Sequence, residues 1–345
     1  MTSIQDVWYG ASAGDRVARA VLWPASWLYG TVVGMRNRRY AQQGSAVHPS
    51  ALPVLSLGNI TVGGTGKTPV AAWAAARLRA RGGRPAIVMR GYGEDEPLVH
   101  AKLNPDVPVI VGGDRVRGAE RAKDALADCA ILDDGFQHRR IARVADWVLV
   151  AAERWRDDLA LLPAGPLREP MSALGRADAI IVTRKSASGT EANAIAARLG
   201  ARFPHVGVAV CHLAMDMLVD AMTGEHRELA WLSGKHIVAA AAVGEPQAFF
   251  AQLRALGARV EERPFRDHHA FDATDARDLV ESAGGCDGVV CTLKDAVKLA
   301  PLWTPAAAPL WYVSQIAVIE RGESVLDHGL EAVLAARQAV TSTAG

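Results

Sequence analysis

Short apolar segments alternate with helix-like segments along most of the chain after residue 53. The apolar segments are residues 54–57, 86–89, 108–111, 130–132, 147–150 and 179–182. This alternation is typical of a parallel sheet whose strands are joined by crossover helices, so the sequence predicts an α/β fold. Most of these segments end in a polar cluster. Because ligands bind beyond the carboxyl ends of parallel strands, we expect the polar clusters to converge on one crevice.

A second, shorter alternating series follows toward the carboxyl terminus. Residues 237–243 and 288–291 are apolar, and residues 246–256 have a helical pattern that Gly257 ends. We therefore predict four regions. They are an N-terminal helical region at 1–45, an α/β core at 46–205, a β linker at 206–230 and a smaller α/β domain at 231–345.

Composition narrows the classes of function. A chain of 345 residues can bury two cores, and a net charge of +1 gives no overall field that would attract nucleic acid. The four cysteines show neither a CxxC spacing nor a companion histidine cluster. We therefore predict reduced thiols and no zinc site at Cys129, Cys211, Cys286 and Cys291.

The N-terminal region contains sixteen consecutive uncharged residues, at positions 20–35. A membrane span needs about 20 apolar residues, and Pro24 interrupts this segment. Aromatic rings within it and arginines beside it favour the headgroup layer of a membrane. These residues are Trp23, Trp27, Tyr29, Arg16, Arg19, Arg36, Arg38 and Arg39. The sequence predicts an interfacial helix, and a buried core helix is the alternative.

A glycine-rich segment between a predicted strand and a predicted helix carries the clearest chemical signal. Residues 56–69 read SLGNITVGGTGKTP, with Gly63, Gly64, Thr65 and Gly66 before Lys67 and Thr68. Backbone N–H groups of such a turn face phosphate oxygens, and the helix start adds positive potential. Lys67 is then expected to reach the outer phosphates, and Thr68 to bind Mg²⁺. Thr61 departs from the strict GxxxxGK[ST] pattern, which has glycine at that position.

An acidic pair completes the predicted phosphate site. Asp133 and Asp134 directly follow residues 130–132. Aspartates after a strand often form only a turn. A phosphate loop, however, requires an acidic strand end to hold its magnesium ion, so we interpret both aspartates as part of an ATP-Mg²⁺ site.

Together these motifs resemble the tetraacyldisaccharide 4'-kinases, which phosphorylate the lipid A precursor disaccharide in Gram-negative bacteria. The shared segments are PASWLYG at 24–30, the loop at 58–69, RGYG at 90–93, DEP at 95–97, DDGFQH at 133–138, LLPAGPLREP at 161–170, DH at 267–268 and TLKDAVKL at 292–299. The resemblance covers nearly the whole chain. It implies a P-loop kinase core, a β linker, a smaller α/β domain and an N-terminal helix on the inner membrane.

The resemblance also implies roles for the matching residues. Lys67 and Thr68 would serve the ATP phosphates and Mg²⁺, with Asp133 and Asp134 near the metal. Asp95 would accept the proton of the sugar 4'-hydroxyl, and His268 would orient that carboxylate or share the proton, which would make catalysis depend on domain closure.

Three further residues would line the same crevice, namely Gln137, His138 and Arg168. Arg168 either stabilises the transferred phosphate or pairs with Glu169. The implied partners are the lipid-linked disaccharide and the cytoplasmic face of the inner membrane, with neither nucleic acid nor a protein partner.

The chain departs from the family pattern in three places. Glu94 directly joins Gly93 to Asp95, where family members have a longer segment. Leu293 stands where they usually have glutamate. Residues 153–158 differ from a loop that contains glycine in the family.

Two other functions are compatible with parts of the sequence. A regulatory GTPase or ATPase would also have a phosphate loop, but the expected [NT]KxD motif is replaced by Thr292-Leu293-Lys294-Asp295, in which the spacing is wrong. A non-enzymatic membrane-binding module would have no affinity for nucleotides.

Overall fold

The computed structural model describes residues 4–42, 47–91, 95–304 and 308–342. The described chain forms two compact units. Unit 1 comprises Met1–Arg90, Asn104–His212 and Val318–Gly345, and unit 2 comprises Gly91–Leu103 and Leu213–Ala317. The junction predicted from Gly93 and Glu94, together with Tyr92, lies outside the described residues.

Unit 1 is built on a parallel sheet. Across the sheet the strands are β7 (Gly207–Asp220, first part), β6 (Ala179–Arg184), β5 (Ala145–Ala151), β1 (Val54–Asn59), β4 (Cys129–Leu132), β2 (Pro85–Met89) and β3 (Val109–Val111). Its helices are α3 (Lys67–Ala80), α5 (Arg115–Asp124), α6 (Gly189–Arg202) and α10 (Glu323–Ser342). All six strands predicted for this region are present. They were recognisable because parallel strands covered on both faces are continuously apolar, and the predicted α/β class is confirmed.

Two helices precede the first strand, α1 (Ile4–Tyr9) and α2 (Ala13–Gln42). One face of α2 packs on the rest of unit 1. There the buried hydroxyl of Ser26 donates to the carbonyl of Leu161 at 3.0 Å and accepts from the backbone N–H of Ala164 at 2.8 Å. The opposite face is apolar, and each of these side chains is more than half exposed: Val17, Val21, Trp23, Trp27, Leu28, Val32 and Met35. The alternative of a buried core helix therefore does not fit. None of the described helices is long and apolar enough to cross a membrane.

Unit 2 has a sheet in the order β10 (Arg259–Pro264), β9 (His236–Ala241), β11 (Val289–Thr292) and β12 (Leu310–Arg321), followed by β7. The short strand β8 (His226–Glu228) pairs antiparallel with β7. The helices are α4 (Asp95–Leu103), α7 (Pro246–Ala255), α8 (Ala273–Ser282) and α9 (Leu293–Leu299). Because β9, β10, β11 and β12 are mutually parallel, the loops after β9, β10 and β11 all leave the sheet at the same edge.

The elements predicted at 237–243, 246–256 and 288–291 are confirmed as β9, α7 and β11. Strands β10 and β12 were not predicted. Strand β10 has the sequence RVEERP and lies at the edge of the sheet, where charged residues are common because they oppose pairing with other chains. The division into four regions, at 1–45, 46–205, 206–230 and 231–345, stays a prediction.

Candidate active site

The phosphate loop of unit 1 lies between β1 and α3. All six residues of β1 are buried, so the end of this strand, where the phosphate loop begins, has a fixed position. Gly63 and Gly66 have left-handed backbone conformations, with φ of +110° and +79°, that glycine tolerates best. Lys67 begins α3 and Thr68 lies in its first turn. The N-cap residue Gly66 has no side chain to cap the helix, so its first N–H groups remain available for phosphate oxygens.

Asp134 joins the cations beside this loop. Both terminal nitrogens of Arg168 donate to its carboxylate, at 2.9 and 3.0 Å, and Nζ of Lys67 lies 3.5 Å from Oδ1. Burial raises the pKa of Asp134, but the charge of Lys67 and the hydrogen bonds from Arg168 outweigh it and lower the pKa to about 2. Asp134 is therefore ionised at neutral pH and holds both cations close to the loop.

Arg168 also fixes the path of the loop. Its backbone N–H donates to the carbonyl of Ile60 at 2.7 Å, and its Nε donates to the carbonyl of Thr61 at 3.2 Å. Its Nη2, which also donates to Asp134, reaches the side-chain oxygen of Asn59. Gln137 donates to the carbonyl of Asn59 at 2.8 Å, so it belongs to the same cluster.

The predicted alternative partner of Arg168, Glu169, lies elsewhere. Glu169 is fully buried and accepts from Arg176 at 2.9 and 3.0 Å. Asn37 of α2 donates to the same carboxylate at 2.7 Å. Glu169 therefore attaches α2 to unit 1, and Arg168 is left to pair with Asp134.

The residues predicted to hold a metal ion supply only oxygen atoms. Thr68 offers a hydroxyl group, and Asp133 and Asp134 offer carboxylates at the end of β4. Mg²⁺ prefers such oxygen ligands, so the donor set fits this ion. Asp133 is 4% exposed, and its backbone N–H donates to the carbonyl of Val88 at 3.0 Å, which fixes its position at the strand end.

A second cluster of charged side chains lies at the carboxyl edge of the unit 2 sheet. Asp95 begins α4 and is 4% exposed, and its Oδ2 lies 3.8 Å from Nδ1 of His268 and 3.5 Å from Nζ of Lys294. Within the described part of the chain, this oxygen accepts no hydrogen bond. A buried carboxylate oxygen with a cation nearby and no donor is suited to accept a proton from a bound hydroxyl group.

Comparison with known proteins identifies the family. A sequence profile described as "LpxK: Tetraacyldisaccharide-1-P 4'-kinase" matches residues 18–96 and 94–335. The chain belongs to this family.

Individual relatives agree with this assignment. The tetraacyldisaccharide 4'-kinase of Anaeromyxobacter dehalogenans strain 2CP-1 is 36% identical over 97% of this chain and 96% of the relative. The kinase of Geobacter sulfurreducens is 37% identical over 83% of this chain and 86% of the relative. The crystal structure of LpxK from Aquifex aeolicus in complex with ATP has a TM-score of 0.74 and 26% identity, and it covers 92% of this chain and 99% of that chain.

Lys294 is a residue of the unit 2 cluster that the sequence analysis did not single out. Its Nζ lies 3.2 and 3.1 Å from the two ring nitrogens of His268, in addition to its contact with Asp95. The sequence predicted no role for Lys294, although residues 292–299 are a segment shared with the tetraacyldisaccharide 4'-kinases. The available signal was a lysine two residues after a strand end within that shared segment.

The same tetrapeptide caps α9. The Thr292 hydroxyl accepts from the backbone N–H of Asp295 at 3.2 Å and donates to its Oδ2 at 2.7 Å. That oxygen also accepts from the N–H of Ala242, after β9, at 3.2 Å. These bonds hold Lys294 in place. Leu293, where family members usually have glutamate, packs against the hydrophobic core of unit 2.

The unusual segment 153–158 contacts the phosphate loop. The carboxylate of Glu153 accepts from the backbone N–H groups of Ser186 and Ala187 at 2.9 and 3.2 Å, which fixes the turn after β5. Arg154 follows, and a Cβ atom added at Gly63 would clash with its Nη1. The segment therefore places a guanidinium group against the loop, where the sequence pattern gave no indication of one.

His138 is surrounded by arginines. Burial lowers its pKa to about 4, and the charges of Arg115, Arg143 and Arg140 act in the same direction against the opposing effect of Asp114. The imidazole is therefore neutral at physiological pH and can accept a hydrogen bond.

The low pKa of His138 predicts a pH-dependent contribution to stability. Between pH 6.5 and about 4 the unfolded chain binds a proton that the folded chain does not, so this contribution is lost as the pH falls through that range. His138→Gln should therefore lose less of its free energy of unfolding between pH 7.5 and 5 than the wild type, as measured by urea denaturation. His226→Gln, at an exposed position, should behave like the wild type. An equal loss in the wild type and His138→Gln would contradict the prediction.

Proposed function

We propose that this kinase transfers the γ-phosphate of ATP to the 4'-hydroxyl group of a tetraacyldisaccharide 1-phosphate, in lipid A biosynthesis. Membership of the family supports the reaction, and the Aquifex aeolicus relative binds ATP. The observation that carries the proposal is the buried Oδ2 of Asp95, which accepts no hydrogen bond from the described residues, in a chain that also has a glycine-rich phosphate loop. Regulatory GTPases and membrane-binding modules need no such proton acceptor.

In unit 1, the glycine-rich loop and the start of α3 bind the phosphates. Lys67 neutralises the outer phosphates, and Arg168 supplies a planar cation beside them. When bound, Mg²⁺ would neutralise the charge of the phosphate oxygens, and Thr68, Asp133 and Asp134 would hold it. Both oxygens of Asp134 already accept hydrogen bonds from Arg168, so a bound metal ion would share that carboxylate with the guanidinium group.

In unit 2, Asp95 Oδ2 takes the proton of the sugar hydroxyl as the new O–P bond forms and the bond from the γ-phosphorus to the bridging oxygen breaks, which releases ADP. Lys294, 3.5 Å away, stabilises the carboxylate before transfer, and His268 is the other group near that oxygen. Phosphoryl transfer depends mainly on position and charge, so fixing this carboxylate is a large part of what the protein contributes.

Lys67→Ala should abolish transfer while the chain remains folded, because the loop loses the cation aimed at the outer phosphates. Phosphorylation of the tetraacyldisaccharide 1-phosphate is the measurement, with the unfolding midpoint as a check on folding. Lys123→Ala, at an exposed position of α5, is the control and should retain activity. Turnover at the wild-type rate in Lys67→Ala would rule out the loop as the ATP site.

Asp95→Asn should lower single-turnover transfer by about 10²- to 10⁴-fold, because asparagine keeps the shape but cannot accept the proton. Affinity for ATP, measured separately by calorimetry, should change little. Near-normal transfer in Asp95→Asn would remove it as the base.

The positioning roles of Lys294 and His268 can be tested in the same assay. Lys294→Met and His268→Ala should each slow transfer without changing ATP affinity. If they act through Asp95, adding either change to Asp95→Asn should cause hardly any further loss. Multiplicative losses would instead show that the three residues act independently.

The exposed face of α2 supports attachment to the cytoplasmic surface of the inner membrane. Its apolar side chains include two tryptophans, and arginines lie at both ends of the uncharged segment. Interfacial helices bind membranes through buried apolar area and through attraction to anionic lipids. Each arginine near such a surface contributes about 1 kcal/mol, which salt screens.

The double variant Val21→Glu/Leu28→Glu should bind anionic vesicles much more weakly than the wild type, because two charges replace apolar contacts on that face. Co-sedimentation with vesicles at low and high salt is the measurement. Met222→Glu/Val318→Glu, at exposed apolar positions outside α2, is the matched control. Equal co-sedimentation of the two double variants would refute membrane binding through α2.

A further inference from the structure

Three side chains that can bind a metal ion converge at one edge of the unit 2 sheet. They are His236 at the start of β9, Glu261 in β10 and Cys286 in the turn before β11. One ligand atom from each lies within 4.8 Å of the others, and no other group of this kind is found within the described ranges of the chain.

Strand register explains the convergence. In the parallel pair β9–β10, His236 is level with Arg259 and Val238 is level with Glu261, so residues 236 and 261 project from the same face of the sheet. The backbone N–H of Asp287 donates to the carbonyl of His236 at 2.7 Å, which places Cys286 beside the imidazole. Each ligand comes from a different segment, so no local spacing motif could reveal the group.

The sulfur–nitrogen distance in this group fits zinc. Tetrahedral Zn²⁺ with a Zn–S bond of about 2.3 Å and a Zn–N bond of about 2.0–2.1 Å separates sulfur and nitrogen by about 3.6 Å. The distance between Sγ of Cys286 and Nδ1 of His236 is 3.6 Å. Thiolate, imidazole and carboxylate form a mixed ligand set that suits Zn²⁺ and is poor for Mg²⁺.

Local charge also favours a cation. Burial raises the pKa of the Cys286 thiol, and the negative charges of Glu261 and Asp287 raise it further. The same negative charges would attract a divalent ion, which in turn stabilises the thiolate. Arg263 competes by pairing with Glu261 at 2.5 Å, but both side chains are more than a third exposed, and such surface pairs contribute little.

We propose that His236, Glu261 and Cys286 form a binding site for Zn²⁺, with water as the fourth ligand. On binding, Nδ1 of His236 and the thiolate sulfur bond to the metal, and the thiol proton passes to solvent. The site lies at the amino-terminal edge of β9, whereas Ala242 and the Asp95 cluster lie beyond its carboxyl end. Because β9 has six residues, the two edges are about 20 Å apart. The role of the ion is therefore to tie three strands together, not to act in catalysis.

Cobalt titration of the reduced, full-length, chelator-treated protein tests the site, because cobalt bound to a thiolate gives a charge-transfer absorption band. We expect one such band, displaced by Zn²⁺ but not by Mg²⁺. Cys286→Ser should abolish the band, and His236→Gln and Glu261→Gln should weaken binding at least about tenfold. His226→Gln is the control and should bind like the wild type.

Thiol labelling gives a second readout that does not depend on the variants. Cys129, Cys211 and Cys291 are buried, so Cys286 should be the cysteine that reacts in the folded protein, and Zn²⁺ should protect it. Zn²⁺ should also raise the unfolding temperature of the wild type but not that of Cys286→Ser. Absence of the band, or equal metal affinity in wild type and Cys286→Ser, would overturn the proposal and leave a thiol–imidazole hydrogen bond.

Discussion

The ion pair between Arg168 and Asp134 determines the geometry of the phosphate loop. Asp134 has a left-handed backbone conformation, with φ of +57°, that turns its carboxylate toward the loop, and Arg168 occupies both of its oxygens. The same guanidinium group holds the carbonyl of Thr61 and the side chain of Asn59. One side chain therefore joins the end of β1, the loop and the turn after β4. Replacing it with lysine would keep the charge but lose the planar, multiple contacts.

This arrangement also preorganises the cations for an anionic ligand. Without a nearby anion, the positive charges of Lys67 and Arg168 would repel each other, and their side chains would be mobile. Asp134 supplies the missing negative charge, so Lys67 and Arg168 stay ordered before a nucleotide arrives. Preorganised charges need little rearrangement when phosphate charge develops, which is the main source of electrostatic catalysis. The hydrogen bond from Tyr29 of α2 to the carbonyl of Arg168, at 2.9 Å, connects the proposed membrane helix to the same residue.

Elements of the fold and of the candidate site were predictable where a short stretch of sequence defines them. They were not predictable where they depend on residues far apart in the sequence. The six predicted strands of unit 1, the phosphate loop and Asp133 with Asp134 were recognisable because apolar runs and glycine spacing are local patterns. Strand β10 was missed because its edge position permits charged residues. Lys294 was missed because its significance comes from Asp95, which is far away in the sequence. The partner of Arg168 could not be chosen from sequence, since burial of Glu169 against Arg176 and α2 decides it.

The parallel strands of unit 2 keep the proposed base, Asp95, apart from the proposed metal site. The segments that follow β9, β10 and β11 carry Ala242, His268 and Lys294, and polar contacts among these segments fix the surroundings of Asp95. His236 lies at the amino end of β9, Cys286 lies in the turn before β11, and Glu261 lies within β10, level with Val238. A metal ion bound by His236, Glu261 and Cys286 would therefore tie these segments of the sheet together without contacting the proposed base.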